Sequence, residues 1–250
     1  MRALIFASRN MKEILRDPMS YVFCLGLPIV MLVVFYVTFS ETASFFAINV
    51  LTPGIAVFSL SFAMLFMALL VSKDRTTSFL NRLYSSPMTK TDFVLGYMIP
   101  GMIIAVGQVV ACYITAAILG LITGIELSFI GILLAILSTI PAMFMFVSLG
   151  ILFGSMFSDK AAPGVSSIVI TLSGFLSSAW MPVESGSTIS KVWSIFPFYP
   201  AVSVGRTALS MNEATFANCW GYLLTVCAYA IVMFTLAVLV FRKKMSSDNA

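Results

Sequence analysis

Six long stretches of this chain carry no charged residue, and no soluble fold tolerates that pattern. They run 18–40, 42–72, 93–125, 127–158, 161–183 and 214–241, each at least 23 residues long. A helix needs about 20 apolar residues to cross a hydrocarbon core about 30 Å thick. Of the 250 residues only 10% are charged and 60% are hydrophobic, whereas soluble domains carry about 25% charged residues. Lipid is therefore the expected solvent. Spans are expected at about 21–39, 51–72, 96–122, 129–154, 164–182 and 219–241. Helices satisfy their own backbone hydrogen bonds in lipid, so the expected class is an all-α integral membrane protein with six transmembrane helices. The 250 residues are taken as a single transmembrane domain.

The basic residues set the orientation. Arg2, Arg9, Lys12 and Arg16 precede the first span, Lys73, Arg75, Arg82 and Lys90 follow the second, Lys160 follows the fourth, and Arg242, Lys243 and Lys244 follow the sixth. Only Lys191 and Arg206 fall on the other side. Cytoplasmic loops are enriched in Lys and Arg, so both ends are expected in the cytoplasm and the 183–218 loop outside. This makes a multi-pass protein of the plasma (inner) membrane. The first apolar run is longer than a signal-peptide core and lacks a small-residue cleavage site, so it is expected to be retained.

Three connecting segments stand out. Residues 1–17 place Ala3, Leu4, Ala7, Met11, Ile14 and Leu15 on one helical face and Arg2, Arg9, Lys12 and Arg16 on the other. That is the pattern of a helix lying in the headgroup plane, and Asp17-Pro18 ends it. The 73–92 loop holds a stripe of Phe79, Leu80, Leu83 and Tyr84, with Arg82 off it and Ser86-Pro87 ending the helix. Such a stripe needs a cover, either headgroups or a soluble partner protein. The 183–218 loop holds Trp193, Phe196, Phe198 and Tyr199 beside Pro197 and Pro200. Its apolar stretch of 14 residues, 192–205, is too short to span. Either it dips into the membrane as a re-entrant hairpin, the preferred reading, or its aromatics lie at the interface.

What the chain lacks narrows its chemistry. There is no histidine, and all ten acidic residues lie at span ends or in loops. Ion-coupled transport needs ionisable groups at depth, channels need filter-like rings, and intramembrane hydrolysis needs an activated nucleophile or metal. No Gly-rich loop ending in Gly-Lys-Ser/Thr is present to cradle phosphates. No catalytic residue, metal ligand or cofactor of this chain's own is expected. Its four cysteines lie in or beside apolar runs without metal-ligand spacing. The modest net charge of +4 sits where a membrane needs it and does not suggest nucleic acid.

The order of these features resembles the permease subunit of type-2 ABC exporters. Arg16-Asp17-Pro18 is similar to the family's Arg-(Asp/Asn)-Pro before the first span, and Phe79 through Thr89 resembles its first inside loop. Gly96 fits the small residue that follows. Ser173-Gly174, Pro182, and Phe196-Pro197 through Arg206 resemble the pattern around the last outer loop. The chain departs from many relatives at Lys73-Asp74-Arg75-Thr76-Thr77-Ser78, which has no glycine, and at Tyr199 and Pro200.

The resemblance implies two permease chains, a homodimer or a pair with a related permease, above two separate ABC ATPase subunits that hold ATP and Mg. It makes residues 77–86 a coupling helix contacting the ATPase through Phe79, Leu80, Leu83 and Tyr84, with Arg82 and Pro87 beside them. It makes the outer hairpin, with Trp193, Phe196, Pro197, Tyr199 and Pro200, a gate. Drug and small-amphiphile exporters are the nearest kin implied, and polysaccharide or glycolipid exporters share the architecture. A membrane scaffold or sensor that transports nothing is the rival from another class. The many Phe and Met residues suit either an adaptable apolar pocket or ordinary lipid-facing and packing positions.

Overall fold

The structure is a computed structural model and describes residues 2–18, 22–76, 90–183, 187–210 and 219–247. Among these it is all-helical. Helix α1 (Arg2–Arg16) is followed by one π-helical turn (Val22–Gly26) that runs into α2 (Leu27–Phe39). Then come α3 (Ile48–Thr76), α4 (Lys90–Thr123), α5 (Phe129–Met156) and α6 (Ala162–Leu176). Two shorter helices, α7 (Thr188–Trp193) and α8 (Phe198–Ser210), precede α9 (Trp220–Ser247).

Among the described residues five helical stretches are long and apolar enough to cross a membrane: Val22–Phe39, Ile48–Arg75, Thr91–Thr123, Phe129–Met156 and Trp220–Phe241. The expected fifth span, 164–182, is the 15-residue α6. At 1.5 Å per residue it covers about 22 Å, short of the hydrocarbon core. Its chain turns at Ser177 and Ser178, and Ser178 holds φ at +57°, a left-handed value uncommon outside glycine.

Helix α3 forms the centre. Of its apolar window 78% is buried inside the protein, against 17% for α9 and 22% for α2. It packs against α2, α4, α5, α6 and α8, while α5 also carries α8 and α9. Close approach of α3 and α5 depends on Gly150 and Gly154. A Cβ on Gly154 would lie 2.6 Å from the Ala68 carbonyl oxygen and 2.6 Å from the Val71 Cβ, and one on Gly150 would collide with the Met64 carbonyl oxygen. Small residues one helical turn apart let backbones meet in lipid. Leu121, Phe129, Leu224 and Ile231 turn outward and are more than half exposed, as lipid-facing side chains are.

Candidate functional site

The C-terminal end of α3 is fastened on both sides just before residues 77–89. On one side Asp74 is buried, and its carboxylate accepts both arms of the Arg9 guanidinium at 2.7 and 3.1 Å. Tyr97 Oη on α4 donates to the same carboxylate at 2.8 Å. Burial pulls the Arg9 guanidinium down, but its hydrogen bond to Asp74 and the charges of Asp74 and Glu13 push it up on balance. Glu13 pairs with Arg9 at 2.8 Å and with Lys73 at 3.4 Å. A bidentate guanidinium–carboxylate pair fixes geometry as well as charge.

A second contact explains how α1 seats on α4. Pro100 has no N–H, so the carbonyl of Gly96 four residues earlier loses its helical partner. Asn10, fully buried, donates Nδ2 to that carbonyl at 3.1 Å. Phe6 packs edge-on against Phe93 at 5.7 Å and Tyr97 at 5.0 Å between ring centres. A Cβ at Gly96 would strike the Phe6 ring, so the small residue makes room for α1.

On the other side Arg75 reaches α5. Its Nη1 donates to the carbonyls of Gly154 (3.0 Å), Ser155 and Phe157 (3.4 Å). The last carbonyls of a helix have no intrahelical partner and carry its negative pole, so a guanidinium there satisfies both. Arg9→Ala is expected to lower the thermal midpoint clearly more than Lys12→Ala. It leaves Asp74 buried without its counter-ion, a loss of about 3 kcal/mol, whereas Lys12 is exposed. Midpoints from fluorescence-detected size exclusion after heating would check this, and equal shifts would contradict the pairing.

At the opposite end of the bundle α8 is almost entirely buried, including Tyr199 and Pro200. Pro197 is buried before it, Trp193 is half-buried and Phe196 is 40% exposed. The expected single stretch 192–205 is thus two helices with a break at 194–197. Arg206, which the sequence expectation left out of the site residues, ties this end together. Its Nε donates to the Val50 carbonyl at 2.9 Å, Nη2 to the Ser178 carbonyl at 2.6 Å and Nη1 to Ser178 Oγ at 3.3 Å. Its guanidinium also lies 5.1 Å from the centre of the Phe45 ring, within cation–π range. Burial pulls Arg206 down to about 10, which leaves it charged at neutral pH. Its signal in the sequence is a lone arginine inside the apolar segment 192–210.

The remaining expected residues divide as follows. Arg9 is half-buried in the Asp74 pair, while Lys12 and Arg16 are exposed on α1. Of the expected apolar face of α1, Ala7 and Ile14 point inward with Phe6 and Asn10, and Leu4 and Leu15 point outward. Phe79, Leu80, Arg82, Leu83, Tyr84 and Pro87 lie outside the described residues. Asp74, Asn10, Tyr97 and Arg75 are additions from the structure. Gly101, Gly150 and Gly174 each face packed side chains or backbone within the chain, and Gly107 meets nothing within 4 Å.

The family model described as ABC-2 type transporter matches residues 2–210. The chain belongs to the ABC-2 type transporter family. A comparison with curated proteins finds no match. Membership makes the chain a membrane permease component of an ABC transporter and implies an ABC ATPase as partner. Helix α9 lies beyond the matched residues.

Proposed function

We propose that this chain is the transmembrane subunit of an ATP-driven exporter, and that it moves a hydrophobic or amphiphilic substrate outward. Two copies, or one copy with a related permease, would pair above two ATPase subunits, which supply ATP hydrolysis and its Mg. The observation that carries this is the double fastening of α3 next to residues 77–89. A segment that receives force from an ATPase needs a rigid root, and Asp74 and Arg75 tie that root to α1, α4 and α5. At about 1.5 Å per residue, α3 and α4 run about 43 and 51 Å. Both exceed the hydrocarbon core, and both carry their charges at the ends flanking 77–89. This supports a coupling helix over 77–86 with Phe79, Leu80, Leu83 and Tyr84 as its contact stripe.

In this reading α6 and the turn after it make the fifth of six spans, α1 lies in the inner interface, and both termini face the cytoplasm. The α7–α8 hairpin dips back into the membrane and acts as the outer gate, with Arg206 as its latch. The basic residues support this orientation, twelve on the inner side against two outside. Arg206→Ala is expected to lower the thermal midpoint, since a hydrogen bond to a charged group contributes about 1.5–3 kcal/mol. Arg206→Lys is expected to restore little, because lysine lacks the planar fork that reaches Val50 and Ser178 together. Full recovery with lysine would rule out the fork as the feature that matters.

The deciding experiment is co-expression with the genomic neighbours, gentle detergent purification and intact-complex mass. Two P-loop subunits with two permease chains, and ATP-dependent substrate uptake by inside-out vesicles, would support the exporter. Recovery with a partner that lacks a P-loop would favour a scaffold or sensor instead.

A further inference from the structure

We infer that the groove between α1 and the inner half of α3 is a binding site for one anionic phospholipid. The groove is a cavity of about 1090 Å³, the size of a site for a whole small molecule. Its walls are chemically divided. Leu4, Ile5, Phe66 and Leu69 line it with apolar side chains, and Arg9, Lys12, Arg16 and Lys73 line it with charge beside Glu13 and Asp17. Arg9 and Lys73 are already engaged by Asp74 and Glu13. Lys12 and Arg16 have no ion-pair partner among the described residues. They sit four residues apart on α1, on the side that lines the groove.

The division dictates the ligand. From Lys73 to Phe66 the apolar wall extends about 10 Å along α3, at 1.5 Å per residue. A molecule that satisfies both halves carries an anionic head for Lys12 and Arg16 and a chain that lies on Phe66, Leu69 and Leu4. A free phosphate leaves the apolar wall bare. A zwitterionic lipid offers the two unpaired cations no net charge. The site stands apart from the exporter proposal, because it needs only α1, α3 and a membrane.

The test is lipid titration of the full detergent-solubilised chain, read by native mass spectrometry. The wild-type chain is expected to take up one saturable phosphatidylglycerol and to hold it in preference to phosphatidylcholine. Lys12→Gln with Arg16→Gln is expected to weaken phosphatidylglycerol about thirty-fold, the loss for two cations near an anionic lipid, and to leave phosphatidylcholine unchanged. Leu4→Trp, at an exposed position in the groove wall, is expected to weaken both lipids by crowding the chain. Inorganic phosphate is expected not to displace phosphatidylglycerol. Equal affinity for the two lipids, no effect of the double variant, or displacement by phosphate alone would overturn the inference.

Discussion

Leu83→Asp is expected to abolish substrate transport while the chain still inserts and folds. If residues 77–86 dock on the ATPase, Leu83 lies at the middle of the apolar contact stripe. An unpaired aspartate buried there costs about 3 kcal/mol, roughly a hundredfold in docking. Transport should fall at least that far, and ATP turnover should lose its response to substrate. The chain's thermal midpoint should not move, because the fastening of α3 by Asp74 and Arg75 is untouched. The measurement is vesicle uptake beside ATP turnover of the purified complex. Transport at the wild-type rate would show that this stripe does not carry the coupling.

Gly154→Leu is expected to prevent the native bundle from forming. Even a Cβ at this position has no room against Ala68 and Val71, and both neighbours belong to α3 rather than to a flexible side-chain tip. Overpacking a tight interior costs about 1–3 kcal/mol where neighbours adjust, and more where backbone must move. The same shift would pull the carbonyls of Gly154, Ser155 and Phe157 away from Arg75. Gly107→Leu is the control, since nothing lies within 4 Å of a Cβ there. Monodisperse, heat-resistant protein for the control and aggregated protein for Gly154→Leu is the expected pair of results. A well-folded Gly154→Leu chain would mean that α3 and α5 separate more easily than their packing implies.

The membrane-spanning helices were legible because a charge inside lipid is so costly that its absence marks each run. Their partners were less so. The Arg9–Asp74 pair joins residues 65 positions apart, and no local period announces a tertiary pair. Asn10 reads as a polar interruption of an amphipathic helix. Its role follows only from Pro100, whose missing N–H frees the Gly96 carbonyl that Asn10 takes. Helix α6 is shorter than its apolar run because Ser178 turns left-handed, and serine gives no warning of that. The neighbouring Gly174 is instead a contact point for Trp180. The aromatics of 193–199 marked this segment, but the residue that ties it to Val50 and Ser178 is Arg206, a cation that counting charges alone assigns to the loop. The candidate coupling stripe rests on sequence, since those residues lie outside the described part.

The polar side chains of α3 bear on how the protein is made. Thr52, Ser59, Ser61 and Ser72 are buried, and each donates its hydroxyl to a carbonyl three or four residues earlier in the same helix. None of these four hydroxyls waits for a neighbouring helix to satisfy it. During synthesis α3 leaves the ribosome before α5, the helix that will cover much of its surface. An apolar stretch whose hydroxyls are closed within the helix can rest in lipid through that interval, while Asp74 and Arg75 at its end wait for α4 and α5. Self-sufficiency of these four hydroxyls thus lets the apolar part of the central helix sit in the bilayer before its neighbours pack around it.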